Sequence, residues 1–90
     1  MPIRERHDDD PQAIALQALA WTLAEPRRAE RLLALTGLDA GDLRARIGEP
    51  DVLAAALAFL EAHQPDLVAC ADAIGVAPER LVAAHESLAA

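Results

Sequence analysis

The sequence predicts an all-α fold, a compact bundle of five to six short helices. Three observations carry that prediction. Ala and Leu dominate a composition that is 53% hydrophobic, and both are strong helix formers, while β-branched residues are few. Prolines stand where the apolar pattern restarts, and a proline in a helix's first turn gives up an N–H that would go unpaired anyway. Glycines close several of the runs, at the position that suits a left-handed helix end. Ninety residues make one small domain, burying roughly 60–65% of the unfolded chain's surface.

Residues 1–9, "MPIRERHDD", are polar and read as a flexible arm. Residues 10–90 read as a single helical domain. Asp10 caps the first helix and Pro11 opens it. Its stretch "IALQALAWTLA", Ile14 to Ala24, carries no charge, and Glu25-Pro26 interrupts it. A second helix spans 26–36 and stops at Gly37; a third, capped by Asp39, runs through Ile47 to Gly48. Glu49-Pro50 restarts the pattern and "DVLAAALAFLEAH" carries a fourth to about His63. Pro65-Asp66 begins a fifth that ends at Ile74-Gly75, and Pro78 begins a sixth running almost to the C-terminus. Short connections imply helices folded back on their neighbours. "LTGLDAGDL" and "AIGVAPERL" share a spacing, read either as a duplicated helix–turn–helix or as what any tight corner requires.

On the first helix, at about 100° per residue, Leu16, Leu19 and Leu23 share one face while Ile14, Ala18 and Trp21 lie nearly opposite. A helix apolar on two sides belongs near the centre of a bundle. Trp21 is then either core or the anchor of an exposed face that meets a partner. Helical periodicity admits both.

The formal charge is −7 and every basic residue is Arg. An acidic surface disfavours nucleic acid and anionic membrane. No secretory signal pattern opens the chain, the uncharged stretch is too short to span a bilayer, and the single cysteine closes no internal disulfide. These features point to a cytoplasmic protein. The one basic feature is Arg27, Arg28 and Arg31 on the outer face of the second helix, which Arg44 and Arg46 extend; Asp42 to Arg46 makes a favourable i,i+4 pair.

Chemistry is sparse. His63 is expected on the apolar face of the fourth helix beside Val52, Ala56 and Phe59, His85 between Leu81 and Leu88 on the sixth, and Cys70 in line with Leu67 and Ile74 on the fifth. Two imidazoles and a thiol are raw material for zinc, but no spacing matches a ligand pair, so neither metal nor cofactor is expected. Cys70 has no cation beside it in sequence to lower its pKa, and no glycine loop suits a phosphate. Catalytic residues are therefore not expected.

"CADAIGVAPERLVAAH" resembles the helix–turn–helix of DNA-binding proteins, with Ala71, Gly75, Val76 and Leu81 at the pattern's positions. Arg80, His85 and Ser87 would then face the nucleic acid. Glu79 and Glu86 share that outward surface and weaken phosphate contact. As a whole, "ALQALAWTLAEPRRAERLLALTGLDAGDLRARI" and "DVLAAALAFLEAHQPDLVACADAIGVAPERL" resemble the alphaproteobacterial family of short helical proteins numbered 3572 among domains of unknown function. That resemblance implies a stand-alone helical domain of the bacterial cytoplasm and brings no catalytic residue with it.

The expected function is a small non-enzymatic protein-binding or regulatory module. Its candidate surface is Trp21, Arg27, Arg28 and Arg31, and its partner a protein, a second copy included. The alternative is a helix–turn–helix nucleic-acid binder through Arg80, His85 and Ser87.

Overall fold

A computed structural model of the protein describes residues 10–90, and the arm expected over residues 1–9 lies outside them. The described residues form six helices and no strand: α1 (Pro11–Leu23), α2 (Pro26–Thr36), α3 (Ala40–Ala45), α4 (Pro50–Glu61), α5 (Gln64–Ile74) and α6 (Pro78–Ala89). The first three carry side-chain caps. Asp10, Glu25 and Asp39 accept from the backbone N–H of Gln12, Arg28 and Asp42 at 3.0, 2.9 and 2.7 Å, each satisfying a donor the helix leaves unpaired. The last three have no such bond but place Pro in the first turn, which removes one unpaired N–H outright.

Gly37 and Gly75 sit at φ 76° and 79°, the left-handed region that closes a helix without a Cβ penalty. At the second, Val76 N–H reaches back to the Ala71 carbonyl at 2.9 Å. Gly48 does not repeat them. The third helix ends at Ala45 rather than Ile47, and Glu49 N–H bonds to the Arg46 carbonyl at 2.9 Å, making a turn before α4. Arg46 is thus a cap residue off the helical track, and it bonds Glu49 at 2.9 Å in place of the expected Asp42 pairing. The two similar corners also diverge. The helix after Gly75 packs on α4, α1 and α5, whereas α3 is absent from the main helix–helix contacts.

α4 and α6 form the most extensively packed pair, and α1 lies against α2, α4, α5 and α6. The buried stripe of α1 is Ile14, Ala15, Ala18, Leu19 and Thr22, flanked by half-buried Leu16, Trp21 and Leu23. Its central placement agrees with the sequence reading; Thr22, read as a polar interruption, is fully buried. Its hydroxyl donates to the Ala18 carbonyl at 2.9 Å, so no polar group goes unsatisfied. α4 contributes six core residues, among them Leu53, Leu57 and Leu60. No single helix among the described residues is long and apolar enough to cross a membrane.

α4 ends before His63. Continuing it would set the Pro65 ring against the Glu61 carbonyl, so the chain breaks at Ala62 and His63 becomes the extended N-cap of α5. His63 is consequently exposed and off the apolar face where the sequence placed it.

Candidate functional site

The break at Glu25-Pro26 turns α2 back across the last turn of α1, and this corner fixes the fate of Trp21. The Arg28 guanidinium lies 3.7 Å from the centroid of the Trp21 ring, and its Nη2 donates to the Trp21 carbonyl at 2.7 Å. A planar, weakly hydrated cation suits both roles. Arg28 Nε, buried beneath, has no hydrogen-bond partner among the described residues. Arg28 therefore points inward as the lid of Trp21 and is not on the outer face expected for all three arginines.

Arg27 and Arg31 are exposed. Arg31 Nη2 meets Asp66 Oδ2 at 2.6 Å, His63 Nδ1 stands 3.3 Å from the same oxygen, and the Arg31 guanidinium lies 5.4 Å from the Phe59 ring centroid. One side chain thus links α2 to α5 and to the end of α4. A hollow of about 690 Å³ opens between Glu25, Arg27, Arg28, Glu30, Arg31 and Asp66. Three cations face three carboxylates there. The hollow has no net charge with which to hold an anion.

The sequence reading missed the apolar surface on either side of α2. Toward α4, Leu35, Leu38, Val52, Ala55, Ala58 and Phe59 line a groove of about 440 Å³, and a second hollow of about 360 Å³ continues it past Ala62 to Arg31 and His63. Toward α3, Leu23, Leu33, Leu43 and Ile47 border a hollow of about 310 Å³. Leu35 is 72% exposed at the edge of the first. The signal was present: Leu33 and Leu35 are about 200° apart on a helix, so both cannot point into one core. Leu32 is the one fully buried residue of α2.

The remaining candidates are dispersed. Arg80, at the start of α6, borders a small hollow with Pro11 and Ile14. His85 Nδ1 meets Glu61 Oε2 at 2.8 Å, tying α6 to α4. Ser87 is exposed. Arg80 and Ser87, seven apart, share a side of α6, but His85 lies well over a quarter turn from them. The trio proposed for nucleic acid is not brought to one face.

Among the described residues no three His, Cys, Asp or Glu side chains converge to hold a metal. Cys70 is fully buried, and burial pushes its thiol up from 9.0 to about 11, against a lowering by Arg28 and with a further rise from Asp66. It stays protonated and unreactive at neutral pH. The folded state holds this proton more tightly than the unfolded chain. Its contribution to stability is therefore complete below about pH 9 and is lost as pH climbs to about 11. Urea midpoints should fall across that window, and the fall should be shallower in Cys70→Ala.

The family described as protein of unknown function (DUF3572) matches residues 8–90. The chain belongs to the DUF3572 family. The match covers every element described above, so the Trp21–Arg28 lid and the grooves beside α2 are features of a DUF3572 domain and not of an appendage to one. No curated protein and no solved structure matches the chain.

Proposed function

We propose that this DUF3572 domain is a non-enzymatic, cytoplasmic protein-binding module that presents α2 to its partner. The observation that carries the reading is Leu35, a large apolar side chain left 72% exposed over an apolar groove. Exposed apolar surface rimmed by polar residues is the kind of surface on which partners dock. Ile47, 40% exposed beside the hollow on the opposite flank, supports the same reading. Arg31 borders the groove's continuation toward His63 and supplies part of a polar rim of the kind interfaces use. Trp21 supports the fold rather than the contact, because Arg28 covers its ring. A buried, protonated cysteine accords with a reducing compartment.

The nucleic-acid reading has less support. Exposed α6 residues include Glu79 and Glu86, and His85 is engaged with Glu61. Purification of the tagged chain from its native cells, with and without nuclease, separates the two. A protein retained in stoichiometric amount after nuclease is the expected result. Recovery of nucleic acid, with accompanying proteins lost on digestion, would overturn it.

A further inference from the structure

α3 is held differently from the other five helices. It has six residues where they have eleven to thirteen, and among the described residues it alone takes no part in the main helix–helix contacts. A helix this short is not stable by itself in water, so tertiary contacts must hold it in place. It buries a single side chain, Leu43. Ile47, just beyond its end, is exposed.

Polar contacts add little anchorage. The Asp39 carboxylate caps the Asp42 N–H, the Leu43 N–H bonds to the Asp39 carbonyl, and Arg46 reaches Glu49 three residues on. All of these lie within residues 39–49 and can persist when the segment moves. Among the described residues, the one side-chain hydrogen bond to a distant helix comes from Gln12 Nε2 of α1 to the Gly48 carbonyl. At 3.4 Å it is longer than a typical N–H···O bond.

The packing beneath α3 is open as well. The hollow of about 310 Å³ separates Leu23, Ala29 and Leu33 from Ala40, Leu43 and Arg44. Such a gap forfeits dispersion contacts that a closely packed helix would make. Gly37, at φ 76°, precedes the segment, and Gly48 closes it.

We propose that residues 39–48 form a flap that opens as a unit, with Leu43 as its latch, while the other five helices stay folded. Opening exposes one buried leucine, whereas unfolding the bundle exposes the whole core, so the open form is a minor native state. In that form Leu23 and Leu33 lose the wall that α3 sets against them. This motion needs no partner and does not depend on α2 being the docking helix.

Amide hydrogen exchange of the full chain at neutral pH, repeated in rising urea below the unfolding transition, tests the flap. The Leu43, Arg46 and Glu49 amides, bonded to the Asp39, Asp42 and Arg46 carbonyls, report its opening. They should share one protection factor within about threefold, at least about 100-fold below those of Leu57 and Leu60 in α4. Their protection should fall only slightly with urea, because little surface is exposed, while that of Leu57 and Leu60 falls steeply. Leu43→Ala should strip protection from all three together, by about thirtyfold or down to none, and leave Leu57 and Leu60 protected. Protection equal to that of α4 and falling in parallel with it would mean that α3 opens only when the whole domain unfolds. Protection differing more than about tenfold among the three amides would mean fraying from the ends. Either pattern overturns the proposal, as does a Leu43→Ala variant that keeps the three protected or that unfolds the other five helices.

Discussion

Leu57→Ala should lower the melting temperature by about 8 °C or more. Leu57 is fully buried on α4, the helix that packs against both α6 and α1. Truncating a buried leucine costs about 2–5 kcal/mol, depending on how far the surroundings collapse into the space. A domain of this length has roughly 5–10 kcal/mol in total, and each kcal/mol is worth about 4–8 °C at this size. Calorimetry on the pure protein measures it directly. Ala58→Ser, one residue on and on the exposed side of the same helix, supplies the contrast and should stay within about 0.5 kcal/mol of wild type. A loss from Leu57→Ala no larger than that would mean α4 is not the centre of the core.

Arg28→Ala should cost about 1–3 kcal/mol and shift the emission of Trp21 to the red. The guanidinium both stacks on the ring and donates to the Trp21 carbonyl. Partly desolvated cation–π contacts contribute about 0.5–2 kcal/mol, and a hydrogen bond from a charged group about 1.5–3. Relief of the buried, unpartnered Nε offsets part of that sum. Fluorescence reports cleanly because Trp21 is the chain's one tryptophan. Arg28→Lys should restore little, since an ammonium neither stacks as a plane nor forks. Binding to a partner should fall only in proportion to the unfolded fraction. Should Arg28→Ala leave both melting and emission unchanged while partner affinity drops, the Trp21–Arg28 pair belongs to the interface and not to the fold.

Local rules made most of the fold legible. Asp10-Pro11, Glu25-Pro26 and Gly37 each act within one helical turn, and the helix ends they predicted lie within a residue or so of those observed. The errors came where two local signals competed. Gly48 looked like Gly37, yet α3 is too short to hold its last turn and ends at Ala45, so Arg46 and Ile47 leave the helix. His63 looked helical by periodicity, yet Pro65 two residues on breaks α4 before it.

The site was legible only in part, for a different reason. The sequence picked out the arginines by charge but could not tell which of them folds back over Trp21. That depends on the angle of the α1–α2 corner, a tertiary quantity. The α2–α4 groove needed the same information. Leu35 and Ala58 are unremarkable apart, and only the antiparallel run of α2 beside α4 places them on one surface. What periodicity did offer was the conflict between Leu33 and Leu35, two leucines on opposite flanks of a helix with a single buried position.

If α2 is the helix this domain offers to its partner, an aspartate at its exposed leucine must break the contact. Tagged wild-type and Leu35→Asp chains are purified side by side from native cells after nuclease treatment, and the retained protein is quantified against the bait. The expected result is a stoichiometric protein that Leu35→Asp loses while melting as the wild type does. Equal retention by both chains, or retention abolished instead by Arg80→Ala on α6, would contradict it.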